Sequence, residues 1–136
     1  MSAERDLDTL LRTMTPELQD GVFVFCSIAA EDGCPATLTP LLLFREREGI
    51  TLVVRREEAE RAGLPYQFAS RLITLSVQSA LDAVGFLAAV TTELAAAGIS
   101  VNAVSAFHHD HLFVPEHRAA EALQLLRDLS APSVVD

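Results

Sequence analysis

The order of periodic segments in the second half of the chain constrains the fold more than any other feature of the sequence. In residues 71–77 Ile73, Leu75 and Val77 recur at every second position, which is typical of a half-buried strand. In the segments that follow, apolar residues at helical spacing indicate helices, and turn-forming residues mark where the elements end. The predicted elements are a strand at 71–77, a helix within 78–98, hairpin strands at 99–107 and 111–115, and a helix at 117–129.

The helix within 78–98 carries the strongest end signals. Asp82 is a candidate N-cap, and Gly98 stands where a helix commonly ends. The spacing places four side chains on one helical face, namely Val84, Leu87, Thr91 and Leu94. The second half therefore has the predicted order β-α-β-β-α.

The first half has a similar order, with a short helical or looped segment in place of the first helix. Leu7, Leu10, Leu11 and Met14 predict a helix that Pro16 stops. The segment 22–28 predicts a buried strand, 38–54 a hairpin with a charged turn, and 56–63 a short helix. We therefore predict two subdomains, residues 1–66 and residues 67–136.

Charge and composition exclude several classes of function. The formal net charge is −9, and the ten basic residues are all arginine, so lysine-based Schiff-base or P-loop chemistry is excluded. An acidic chain without a basic patch is not expected to bind nucleic acid or anionic membranes. The two cysteines form no zinc-type pair, and the first residues lack the apolar core of a signal peptide, so we expect a cytoplasmic protein.

The four histidines all fall within residues 108–117, and this cluster has two interpretations. His108, His109 and Asp110 fit the polar connection of the predicted hairpin. Alternatively, His109 and His111 have the His-x-His spacing of a metal site on a strand, with Asp110, Glu116 or His117 as a third ligand. The turn is the simpler interpretation. No nucleophile elbow, Walker sequence or dinucleotide fingerprint is present, and we expect neither catalysis nor a cofactor.

Two segments carry a resemblance to a known family. The sequence "LDAVGFL" at 81–87, followed by "LAAAGISVNAV" at 94–104, resembles the ACT domain, a small regulatory fold. With "VFVFCSI", "FREREGITLVV" and "DHLFVP" included, the chain resembles small stand-alone bacterial proteins built from two ACT-like subdomains, and also the ACT modules of the eukaryotic cytosolic arginine sensor. The resemblance implies an α+β fold of the ferredoxin-like (βαββαβ) type, with antiparallel sheets covered by helices.

The resemblance also implies a ligand and its place. ACT domains bind small ligands, usually amino acids, between paired domains, so a homodimer is implied. The implied ligand-binding residues are Leu81, Asp82, Ala83, Val84 and Gly85 in the loop before the helix, and Asn102, Ala103 and Val104 in the strand after it. Val84 stands where many amino-acid-binding ACT loops have proline.

Physical chemistry supports the same place. A helix N-terminus attracts a carboxylate, and Gly85 lets a ligand approach the backbone. Asp82 would then accept the α-ammonium group. We therefore expect a non-enzymatic sensor of an amino acid. The alternatives are an oligomerisation module without a metabolite ligand, and a metal-binding protein that uses the histidines.

Overall fold

The computed structural model describes residues 3–131. The helices are α1 (Leu7–Thr13), α2 (Arg56–Arg61), α3 (Phe86–Ala96) and α4 (Ala119–Ser130). The strands are β1 (Thr15–Leu18), β2 (Phe23–Ile28), β3 (Leu42–Arg45), β4 (Ile50–Arg55), β5 (Gln67–Ser76), β6 (Asn102–Ser105) and β7 (Asp110–Pro115). Short 3-10 turns occupy Ala30–Asp32 and Glu116–Arg118. The predicted order of the second half, β-α-β-β-α, is confirmed.

Packing divides the chain into two compact units. The central unit comprises residues 21–70, and the terminal unit comprises residues 3–20 together with 71–131. Strand β5 crosses from one unit to the other, because its residues 67–70 belong to the central unit and 71–76 to the terminal unit. The subdomain boundary predicted between residues 66 and 67 stays a prediction.

The central unit has the strand order β3-β4-β2-β5. Its pairs are antiparallel, with Val24 opposite Val54 and Leu43 opposite Leu52. Helix α2 packs on β2 and β4, and the 3-10 turn at Ala30–Asp32 stands where a ferredoxin-like fold has its first helix. The buried core of this unit consists of Val24, Cys26, Leu38, Ile50, Leu52, Val54 and Ala59.

The terminal unit has the strand order β1-β5-β7-β6. Strand β1 runs antiparallel to β5, with Pro16 opposite Leu75. The elements β5, α3, β6, β7 and α4 are the first five of a βαββαβ order, and β1, although it comes early in the chain, takes the place of the last strand. Helices α1, α3 and α4 pack on one another and cover the sheet. The fold is therefore the predicted α+β, ferredoxin-like one. No helix within residues 3–131 is long and apolar enough to cross a membrane.

The core of the terminal unit holds α3 and α4 in position. Burial of one large aliphatic side chain contributes about 1.5–3 kcal/mol to stability, so these residues dominate the packing energy. Of the five apolar positions that the sequence predicts for α4, Ala119, Ala122 and Leu126 are buried, and Leu123 and Leu129 are partly buried. The fully buried aliphatic side chains of this core are Leu10, Ile73, Leu75, Val90, Leu94, Leu112, Val114 and Leu126.

The start and the buried face of α3 differ from the sequence-based prediction. The helix begins at Phe86 with Gly85 as its N-cap, so the prediction of Asp82 as N-cap is wrong. The buried residues of α3 are Phe86, Val90 and Leu94, whereas Val84 is 84% exposed. The predicted face through Val84 and Thr91 was therefore displaced by about a quarter of a turn from the one that is buried.

The physical reason is a contact with the beginning of the chain. The Glu4 N–H donates to the Gln78 carbonyl at 2.7 Å, and the Ala80 N–H donates to the Glu4 carbonyl at 2.8 Å. A turn follows at once, in which the Ala83 N–H donates to the Ala80 carbonyl at 3.0 Å. Since these groups are already bonded, the backbone cannot become helical before residue 85.

The hairpin after α3 is shorter than predicted, and its turn lies one residue earlier. The Ala106 N–H donates to the His109 carbonyl at 3.0 Å, so residues 106–109 form the connection. His108 and His109 lie in the connection as predicted. Asp110 does not, because it is the first residue of β7, where it stands opposite Ser105 and is buried.

Candidate functional site

A surface depression of about 640 Å³ lies on the terminal unit. It joins three segments that are far apart in sequence: the start of the chain, the stretch after β5, and the hairpin turn. Its lining consists of Ala3, Arg5, Gln78, Ser79, Ala80, Leu81, Asp82, Phe107 and His108. The volume is in the range of small-molecule sites in proteins.

The wall of this depression is held by backbone pairing between residue 4 and residues 78–80. Glu4 forms a parallel bridge with Ser79. The Glu4 carboxylate also accepts the N–H groups of Arg5 at 3.2 Å and Asp6 at 3.0 Å, which fixes the local course of the backbone. Arg5 is thereby placed beside the loop at 81–82, although it lies 77 residues from Asp82 in the sequence.

The depression carries opposite charges side by side at its rim. The Nε of Arg5 donates to Oδ1 of Asp82 at 3.0 Å, and the two side chains are 64% and 72% exposed. Leu81 and Phe107 are also exposed, at 68% and 75%. A guanidinium, a carboxylate and two apolar side chains are therefore all available to a ligand that is charged at one end and apolar at the other.

A smaller recess of about 60 Å³ adjoins the depression. The two share Ser79, Ala80 and Leu81 in their linings. The recess also reaches the first turn of α3 and the end of the β6–β7 hairpin. Its complete lining is Ser79, Ala80, Leu81, Ala83, Phe86, Leu87, Ser105, Ala106 and Asp110.

Asp110 is the charged group of this recess. Asp110 is only 7% exposed. The Ser105 hydroxyl donates a short hydrogen bond to Oδ1, and the Ser79 hydroxyl donates to Oδ2 across a longer distance of 3.4 Å. Within residues 3–131 no arginine or histidine forms an ion pair with this carboxylate.

The structure brings only part of the predicted ligand-binding set to these cavities. Leu81 and Asp82 line the depression, and Leu81 and Ala83 line the recess. The other predicted residues line neither cavity: Val84, Gly85, Asn102, Ala103 and Val104. Gly85 instead has the left-handed φ of +91° that begins α3, and the last three residues belong to β6.

The lining residues that the sequence did not predict as amino-acid contacts include Arg5, Ser79, Phe107 and Asp110. Each has an ordinary local context, such as a charged N-terminal segment or a hairpin end. Their common position depends on the pairing of Glu4 with Ser79, which spans most of the chain. No local periodicity records such a contact.

The histidines of the hairpin bond to β5 and its continuation. His109 donates from Nδ1 to the Val77 carbonyl at 3.2 Å, and Nδ1 of His111 lies 3.0 Å from Oγ1 of Thr74. Burial lowers the pKa of His111, the charge of His109 lowers it further, and the Asp110 carboxylate opposes both. The two rings are 6.5 Å apart between centroids. In the part of the chain that the structure describes, no three His, Cys, Asp or Glu side chains are grouped to hold a metal ion.

The fold and these sequence features agree with one protein family. A sequence model of the ACT domain matches residues 2–71, and a second ACT-domain model matches residues 67–128. The chain therefore belongs to the ACT domain family, whose members are typically regulatory modules that bind small ligands such as amino acids. No curated protein matches the chain.

Solved structures give a similar result. A protein of unknown function from Vibrio cholerae, described as a possible transport protein, is 43% identical with a TM-score of 0.82, over 92% of this chain and 96% of that one. A protein from Agobacterium tumefaciens is 18% identical with a TM-score of 0.75, over 86% and 89% of the two chains. The ligand-free regulatory subunit of aspartate kinase from Thermus thermophilus is 11% identical with a TM-score of 0.67, over 90% and 99%. The last two likenesses show the fold alone.

Proposed function

We propose that this chain is a non-enzymatic regulatory module that binds an amino acid at the depression beside residues 78–82. One observation carries the proposal: Leu81 and Asp82, which the sequence predicts as ligand contacts, line a 640 Å³ depression together with Arg5. Arg5 offers the charge that complements the carboxylate group of an amino acid, and the acidic side chains of the depression and the adjoining recess, Asp82 and Asp110, offer the charge for its ammonium group.

The chemistry of the lining supports this class of ligand. A guanidinium binds a carboxylate through two parallel hydrogen bonds, and Arg5 is exposed enough to do so. Phe107 and Leu81 offer apolar area to the side chain of the ligand.

A pair of chains would give a role to three of the five predicted residues that line neither cavity. Strand β6 lies at the end of the strand order, and Asn102 and Ala103 are exposed. We propose a homodimer in which Asn102, Ala103 and Val104 contact the ligand from the domain of the second copy. The proposed place of action is the cytoplasm, where free thiols such as those of Cys26 and Cys34 persist.

A thermal-shift panel of the standard amino acids tests the proposal. Ligand that binds only the native state raises the melting temperature saturably, by about 4 °C at ten times the dissociation constant. We expect one amino acid or a small chemical group of them to do so, and Arg5→Ala to weaken the response. Arg12→Ala is the matched control, since Arg12 is also exposed and lies on α1, away from the depression. A wild-type protein that responds to no amino acid would refute the proposal.

An exposed apolar strand favours the second candidate, an oligomerisation module without a metabolite. Strand β3 lies at the other end of the strand order, and Leu41, Leu43 and Phe44 are exposed on it or beside it. Exposed apolar edge strands promote association. Under this candidate Phe44→Arg should convert an oligomer into a monomer in light scattering, and no amino acid should change the mass or the melting temperature.

A further inference from the structure

The recess beside the depression contains a buried carboxylate that forms no ion pair with a basic side chain of residues 3–131. Asp110 is 93% buried, and its partners are the hydroxyl groups of Ser105 and Ser79. A buried carboxylate loses much of its hydration. Hydrogen bonds from neutral groups alone replace only part of the lost solvation free energy. The position therefore favours a positively charged occupant.

Within residues 3–131 no basic side chain supplies this cation. The chain has no lysine. Arg5, the guanidinium of the adjoining depression, is engaged with Asp82. The rings of His109 and His111, which flank Asp110 in sequence, are bonded to Val77 and Thr74.

The size and the donors of the recess select a small ammonium group. Its 60 Å³ corresponds to about two water molecules at about 30 Å³ each. An ammonium group has three N–H donors, which the Oδ2 of Asp110 and the hydroxyl oxygens of Ser79 and Ser105 can accept. A divalent metal ion demands more oxygen ligands at fixed geometry than one carboxylate and two hydroxyls provide.

We propose that Asp110, and not the rim carboxylate of Asp82, receives a primary ammonium group of the ligand. Asp82 is exposed and already paired with Arg5, where a further ion pair contributes little. A ligand whose ammonium group occupies the recess can extend past Ser79, Ala80 and Leu81 into the depression. The inference rests on the proposed function for the identity of the ligand, but the recess can be tested with an ammonium ion alone.

Methylammonium chloride is the probe, with sodium chloride and potassium chloride at equal ionic strength as references, in an amine-free buffer. For the wild type we expect a saturable rise in melting temperature with methylammonium alone. Asp110→Asn keeps an acceptor for Ser105 and removes the charge, so it should abolish that rise. Its melting temperature without ligand should be equal to or above that of the wild type, because an uncompensated buried charge is gone. A purely structural role of Asp110 predicts a lower one.

Asp82→Asn distinguishes the two carboxylates, and it should keep the response to methylammonium because Asp110 is the proposed site. The matched control is Asp20→Asn, since Asp20 is exposed and lines neither cavity. The inference is overturned if the wild type does not respond, if potassium acts equally, or if Asp110→Asn responds like the wild type. Should Asp110→Asn fail to fold, the carboxyl ¹³C resonance of Asp110 in the wild type decides the matter. It should move with methylammonium and not with sodium, and a static resonance would refute the inference.

The amino-acid panel and the methylammonium experiment test separate claims, so that either claim can be refuted without the other. If methylammonium binds at Asp110 but no amino acid binds, the recess is an amine site and the proposed amino-acid function is wrong. If an amino acid binds but methylammonium leaves the Asp110 signal and the melting temperature unchanged, the proposed function stands and the Asp110 assignment is wrong.

Discussion

His111 and Thr74 link β7 to β5 through side chains, with Nδ1 of His111 3.0 Å from Oγ1 of Thr74. The same threonine oxygen accepts a hydrogen bond from Nε2 of Gln19 at 3.2 Å. The single hydroxyl proton of Thr74 is thus free to point to Nδ1, which suits a neutral imidazole protonated at Nε2. The bond network and the burial of His111 both favour its neutral form.

This arrangement predicts a loss of stability at mildly acidic pH. Burial holds the pKa of His111 in the folded state below its value of 6.5 in the unfolded chain. The unfolded state therefore binds more protons as the pH falls below 6.5, and the free energy of unfolding decreases until the pH is below the folded pKa as well. We expect the melting temperature to fall between about pH 8 and about pH 5.5, part of the fall coming from His111.

His111→Asn isolates that part, because the asparagine oxygen can take the place of Nδ1 as acceptor. This variant should lose less melting temperature between the two pH values than the wild type does. The matched control is His117→Asn, since His117 is exposed and lies outside the cavities. Equal pH dependence in the wild type and in His111→Asn would contradict the account.

The phase of α3 predicts opposite outcomes for two valines. Val90 is fully buried, whereas Val84 is 84% exposed. Val90→Ala should lower the free energy of unfolding by about 2 kcal/mol through lost burial and a residual cavity. Val84→Ala should change it by less than about 0.5 kcal/mol. Urea denaturation of both variants measures the difference, and a larger loss at Val84 would mean that the helix is wrongly phased.

Local patterns predicted most of the fold because most elements bury a periodic face. The alternation of Ile73 and Leu75 indicates strand β5 directly, and the apolar face of α4 indicates that this helix packs on the sheet. The start of α3 was missed for a non-local reason. Residues 78–80 bond to Glu4, so a plausible cap at Asp82 never forms.

The sequence predicted which loop forms part of the candidate site, but it did not predict the charged residues that complete the site. The resemblance of "LDAVGFL" to ACT sequences indicated residues 81–85, and Leu81 and Asp82 do line the depression. Arg5 and Asp110 carry the charges that the proposals use. Arg5 stands in no pattern that indicates ligand binding, and the histidine pattern around Asp110 indicated a metal ion and not an amino acid. Their roles depend on contacts across the sheet and on burial, which a single sequence does not encode locally.

Gly85 is predicted to contribute to stability through the backbone conformation that it adopts. Its φ of +91° disfavours residues with a side chain, while a Cβ placed there would meet only Leu7 Cδ2 at an ordinary 3.6 Å. Gly85→Ala should therefore lower the free energy of unfolding by about 1–2 kcal/mol through strain and not through crowding. Gly85→Asn should cost less, because asparagine tolerates positive φ better. Equal urea midpoints for the wild type and Gly85→Ala would contradict this.

The ion pair of Arg5 with Asp82 is predicted to serve binding and not stability. Both side chains are more than half exposed, and such pairs contribute about 0–1 kcal/mol. Arg5→Ala should leave the melting temperature of the ligand-free protein within about 2 °C of the wild type. Its affinity for the amino acid identified by the panel should fall at least about tenfold if a guanidinium–carboxylate pair is lost. A large loss of stability would assign Arg5 to folding instead.

A titration followed by ¹H–¹⁵N correlation spectra tests the central claim most directly, because it reports binding and location together. The wild-type protein would be titrated with the amino acid that raises its melting temperature. We predict saturable shifts concentrated at residues 3–5, 78–87 and 105–110, the segments that form the depression and the recess. Unchanged spectra, or shifts confined to residues far from these segments, would contradict the assignment of this surface as an amino-acid site.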